Sequence, residues 1–135
     1  MEKEFVTYEQ ALALKKLGFD EECFGWYDSL DKNLWLNTES KQTLLFHKSL
    51  SRFSGSILAP LKQQVFKFFR EKYELYYRIS GVKQSQYHYS IDYQYNDGKW
   101  GMMGGDITTY EEAENACIDK LIEIAKQQDN DTNSK

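Results

Sequence analysis

The chain is expected to fold as an α+β domain, a small antiparallel sheet with helices packed on one face. Three patterns predict this. Apolar residues recur at helical spacing over residues 61–73 and again over 113–124, and residues 87–95 alternate strictly between two chemical characters. Helices with one apolar face and a strand with one apolar face must bury those faces against each other.

Taken in order, the first helix begins at Thr7. Thr7-Tyr8-Glu9-Gln10 is a capping box, in which the hydroxyl meets an orphan N–H and Gln10 reaches back to the cap. Ala11, Leu14 and Leu17 follow on one face, and Gly18 supplies the stop. Residues 23–27 and 34–36 read as short strands around Asp28-Ser29-Leu30-Asp31. Residues 37–58 carry the weakest signal, with a candidate strand at 43–46 and loop over 49–56.

The middle helix is expected to start near Pro60, whose missing N–H costs nothing in a first turn. Leu61, Val65, Phe68, Phe69 and Tyr73 share an arc with Phe66 at its edge, opposite Gln63, Gln64, Lys67, Arg70, Glu71 and Glu74. A strand over 75–80 comes next. In the following stretch Tyr87, Tyr89, Ile91, Tyr93 and Tyr95 point one way and His88, Ser90, Asp92 and Gln94 the other. Asn96-Asp97-Gly98 then suits a tight hairpin turn, with residues 100–103 as the returning strand. The last helix opens with a second cap, Thr109-Tyr110-Glu111-Glu112, and lines Ala113, Ala116, Cys117, Leu121 and Ile124 along one side. Beyond Gln127 no apolar residue remains. The expected organisation is therefore one domain over residues 1–126 and a disordered polar tail over 127–135.

Composition agrees with a folded chain. Of 135 residues, 41% are hydrophobic and 16% aromatic, too apolar for a disordered polymer. No stretch approaches the roughly 18 apolar residues of a membrane span, and charges rather than an apolar run follow Met1. A cytoplasmic protein with two reduced thiols, Cys23 and Cys117, is expected.

Charge is unevenly placed. Residues 41–83 hold Lys41, Lys48, Arg52, Lys62, Lys67, Arg70, Lys72, Arg78 and Lys83 against Glu71 and Glu74, between two acidic ends. Either the segments neutralise one another, or the basic middle binds nucleic acid through Lys62, Lys67, Arg70 and Arg78. The tyrosine row has the same two readings: core, or a platform for unpaired bases.

Catalytic patterns are missing. His47 has no acid near it in sequence, and His88 and Asp92 on one strand lie roughly 13 Å apart, too far for a dyad. Neither histidine has zinc-helix spacing, and the two cysteines lie far apart in sequence, so no metal and no cofactor is expected. Gly98, Gly101, Gly104 and Gly105 do not form a phosphate loop and read as turn and loop glycines. In element order the chain loosely resembles a double-stranded-RNA-binding domain. Glu111, Glu112 and Glu114, however, stand where such a domain needs phosphate-binding lysines.

Three blocks, residues 5–21, 59–73 and 110–124, together resemble a family of small proteins of phages and prophages of Bacteroidota-type bacteria. The resemblance implies an origin in a mobile element and action inside a bacterial cell, and it supplies no catalytic residues. The expectation is a non-enzymatic accessory protein that binds a host or phage macromolecule, with nucleic acid as the alternative partner and no membrane.

Overall fold

The computed structural model describes residues 2–36, 56–95 and 98–133. The candidate strand at 43–46, the turn residues Asn96 and Asp97, His47, Lys41, Lys48 and Arg52 lie outside them. The fold is α+β, as expected, but it holds two three-stranded antiparallel sheets where one was anticipated. The chain divides into two compact units, Met1–Gln64 and Val65–Lys135.

In the first unit, helix α1 spans Tyr8–Lys16 and strands β1, β2 and β3 span Gly25–Asp28, Leu34–Leu36 and Ser56–Ala59. The capping box is present in both directions: Gln10 N–H donates to the Thr7 hydroxyl at 3.2 Å, and Thr7 N–H to the Gln10 side chain at 2.9 Å. At the other end Gly18 takes the left-handed conformation, with φ 91°. Gly18 N–H then donates to the Lys15 carbonyl and Phe19 N–H to that of Leu14. Leu14 and Phe19, both buried, pack this Schellman-type end into the core.

The sheet order is β2-β1-β3. Strand β3 differs from the sequence expectation, which has loop up to Ser56 and no strand after it. All four of its residues are buried, so it shows no alternation to read. Ala59 ends this strand, and Pro60 is buried with its carbonyl accepting Val6 N–H. The middle helix therefore starts later than Pro60 suggests. Helix α2 covers Lys62–Tyr73, with the Gln64 side chain accepting Leu61 N–H at 3.0 Å. The Tyr27 hydroxyl donates to the Val6 carbonyl at 2.6 Å inside the core, and the Tyr8 ring meets the Tyr27 ring edge-on.

In the second unit, strands β4, β5 and β6 span Tyr76–Lys83, Gln86–Tyr95 and Gly98–Ile107, and helix α3 spans Tyr110–Asn133. Val65, Phe66, Phe68, Phe69 and Tyr73 of α2 are buried as their spacing predicts. Phe66 stacks on Tyr77 with centroids 3.7 Å apart. Glu74, at φ 56°, turns the chain out of the helix, and Leu75 N–H satisfies the Phe69 carbonyl.

The sheet is a meander in the order β4-β5-β6, with α3 packed on it. From Tyr87 to Tyr93 the tyrosine row faces the core: Tyr89 and Ile91 are buried, Tyr87 and Tyr93 half-buried, and Tyr87 meets Tyr110 of α3 edge-on, while the Tyr95 side chain lies outside the described residues. Gly104 and Gly105 sit within β6, not in a loop. A Cβ on Gly104 would collide with the Tyr89 ring, its cross-strand partner, so only glycine leaves space for that ring.

Helix α3 continues through the region expected to be a polar tail. Glu112 N–H donates to the Thr109 hydroxyl at its start. Near its end the Tyr73 hydroxyl donates to Asp129 at 2.9 Å, anchoring a segment that has no apolar stripe of its own.

Two outcomes follow from these bonds. Tyr27→Phe leaves the buried Val6 carbonyl without its donor and is expected to lower stability by about 1–3 kcal/mol in urea unfolding. Asp129→Ala is expected to speed amide exchange in residues 126–133 while leaving residues 113–124 as protected as before, read by hydrogen–deuterium exchange.

Candidate interaction surface

The β1–β2 hairpin puts an aromatic pair on its outer face. Residues 28–33 form the turn: Lys32 takes φ 59° and donates its N–H to the Asp28 carbonyl at 2.8 Å. The Asp28 carboxylate accepts Leu30 N–H at 2.8 Å and Asp31 accepts Asn33 N–H at 2.9 Å. Such side-chain-to-backbone bonds are why aspartates favour turns. They also fix the register, pairing Gly25 with Leu36, Trp26 with Trp35 and Tyr27 with Leu34.

Alternation then decides which side each residue takes. Tyr27 goes inward to reach Val6. Gly25 goes inward as well, and a Cβ there would stand 3.0 Å from Leu36, 3.2 Å from Phe5 and 3.3 Å from Leu34. Trp26, Asp28 and Trp35 are therefore turned outward. The two indoles stack, with centroids 5.9 Å apart and planes within 16°. Trp26 lies between Trp35 and Leu58, its partner on β3. Trp35 remains 50% exposed, and Phe24, two residues before Trp26, is exposed too. Among the described residues β2 is an edge of its sheet. Sequence reading placed these strands but assigned the tryptophans no role, because either parity of so short a strand is plausible without the core contacts.

Of the residues proposed for nucleic acid, Lys62 is buried, and Lys67, Arg70 and Arg78 are exposed. Lys62 is only 3% exposed, which removes it as a phosphate contact. Its position explains this, and the spacing held the signal: Lys62 stands at helical intervals with buried Val65, Phe66 and Phe69. Lys67 and Arg70 are exposed on α2. Glu71 follows Lys67 by four residues within the helix, which places the two charges as neighbours on its surface. Arg78 is exposed on β4, 4.0 Å from Asp92 of β5, and follows Tyr76, which is 53% exposed.

His88 is half-buried on β5, and Asp92 on the same face lies beside Arg78. Cys23 and Cys117 are free, buried thiols. Burial, reinforced by Glu21, pushes Cys23 up to about 12, and burial with Glu114 does the same to Cys117. A thiol held protonated in this way is a poor nucleophile at neutral pH. Among the described residues no group of three metal-ligating side chains assembles. No helix among them is long and apolar enough to cross a membrane.

No protein-family model, curated protein or solved structure matches the chain.

The thiols imply a pH dependence. The unfolded chain releases each thiol proton near 9.0 and the folded chain only near 12. Their contribution to stability is full below pH 9 and declines as the pH climbs from there toward 12, because the folded state then holds more protons than the unfolded one. The urea midpoint is expected to fall between pH 8.5 and 11 (roughly the window set by the ordinary thiol value). The fall should be shallower in the Cys23→Ala/Cys117→Ala protein, as followed by circular dichroism.

Proposed function

We propose that this chain is a non-enzymatic interaction protein that holds a protein partner on the Trp26–Trp35 face of the β1–β2 hairpin. The observation that carries the reading is the stacked indole pair with Trp35 half in water. Tryptophan is among the residues most enriched in the buried centres of interfaces, where one side chain supplies a large share of the binding energy. An indole held rigid by its neighbour has lost its rotamer freedom before the partner arrives, which lowers the cost of association. The protonated cysteines fit the same reading, since they offer no activated nucleophile.

The resemblance to small proteins of Bacteroidota phages and prophages supports a setting for this role. The protein would act as an accessory factor of a mobile element, in the cytoplasm of the bacterial host, on a host or phage macromolecule.

A second reading, nucleic-acid binding, keeps one specific support. Tyr76 and Arg78 project side by side from β4, a stacking surface beside a cation. Lys67 and Arg70 would add charge from α2, and Lys62 takes no part.

The two readings separate by co-purification of the full chain from host cells carrying the parent element, beside mobility shifts at low salt. A stoichiometric protein partner that is lost in Trp35→Ala and retained in Tyr76→Ala/Arg78→Ala is the expected result. Unchanged capture by Trp35→Ala would refute the first reading. A shift of DNA or RNA that weakens steeply with salt and vanishes in Tyr76→Ala/Arg78→Ala would establish the second.

A further inference from the structure

The segment leading into and through the tryptophan hairpin is acidic. Over residues 20–36 the acids are Asp20, Glu21, Glu22, Asp28 and Asp31, and the single base is Lys32. That base is turned toward α1, its ammonium 5.3 Å from the centre of the Tyr8 ring. Asp28 shares the outer face of β1 with Trp26, Asp31 stands in the adjoining turn, and Glu21 and Glu22 precede the strand, exposed. The carboxylates of Asp28 and Asp31 each hold one backbone N–H of the turn. A carboxylate has about four acceptor positions, so each retains capacity for an incoming cation.

We propose that this face docks an extended, arginine- and lysine-rich segment of a partner protein, lying along the edge of β2 with its cations over Trp35 and beside Asp28 and Asp31. The inference rests on the interaction reading above and adds the chemistry of the partner. Charge complementarity selects the occupant: the acids attract a basic segment and repel phosphates. An indole face binds guanidinium or ammonium groups through its quadrupole, and their aliphatic stems cover apolar ring surface at the same time. Among the described residues β2 is an edge of its sheet, which favours an extended segment over a helix, because a sheet edge offers main-chain pairing to a strand.

The test uses the full chain and a fluorescein-labelled nine-residue peptide alternating arginine and threonine, beside a glutamate–threonine counterpart, by anisotropy at 50 and 300 mM salt. The arginine peptide is expected to bind at least about tenfold more tightly than its counterpart and to weaken as salt rises. Trp35→Ala should reduce its affinity about fivefold or more, Trp35→Phe should retain most of it, and Asp28→Asn/Asp31→Asn should flatten the salt dependence. Amide shifts in the wild type should concentrate on residues 34–36, which reads the site without relying on any variant's folding. Equal affinity for the two peptides, shifts centred on β4 or α2 instead, or Trp35-dependent self-association that the arginine peptide does not compete would each overturn the proposal. If the arginine peptide fails while Trp35→Ala still abolishes capture of the cellular partner, the interaction reading stands and the basic partner is wrong. If both fail, the interaction reading goes too.

Discussion

The hydrogen bond from the Tyr27 hydroxyl to the buried carbonyl of Val6 settles the orientation of β1, and the character of the exposed hairpin depends on it. Val6 also donates its N–H to Pro60, so one buried peptide segment ties the N-terminus to β1 and to the end of β3. A strand offers two faces and no intermediate choice. Once Tyr27 is committed inward, Gly25 must lie inward under Phe5, Leu34 and Leu36, and both tryptophans must face out. Reversing the parity would bury Asp28 and strand the Val6 carbonyl, the second alone a cost of about 1–3 kcal/mol. The outward tryptophans are therefore a consequence of core polarity.

The second unit solves a different packing problem. Its central strand carries large rings on the face that meets α3, and large rings on adjacent positions need space beside them. The neighbouring strand supplies it through Gly104, across which the Tyr89 ring lies. Glycine weakens a strand by itself, so its place here follows from the room the Tyr89 ring takes. Gly104 therefore has a packing role where a loop was expected.

Several residues read correctly as chemical types and wrongly as locations. Lys62 belongs to the basic middle of the chain by sequence, but it occupies the stripe of Val65, Phe66 and Phe69 and is buried. Counting bases along a segment treats every cation as available, and a helix makes only part of its circumference available. The polar end of α3 shows the converse. Nothing in its composition argues for order, but Asp129 receives the Tyr73 hydroxyl, and the helix runs on to Asn133. Buried strand β3 escaped notice because uniform burial erases the period by which strands are recognised.

The amino-acid sequence by itself determined the α+β class, the start of α1 through its capping box and of α3 through its Thr109 cap, the buried arcs of α2 and α3, and the inward face of β5 from Tyr87 to Tyr93. These features are local: a cap spans four residues, a helical stripe a few turns, and an alternation one strand. Tertiary structure alone decided the split into two sheets, the outward stacking of Trp26 on Trp35 and the order of the last helical turns. Each of these depends on a partner far away in the chain, Val6 for Tyr27 and Tyr73 for Asp129, and spacing along a sequence carries no record of which distant groups will meet.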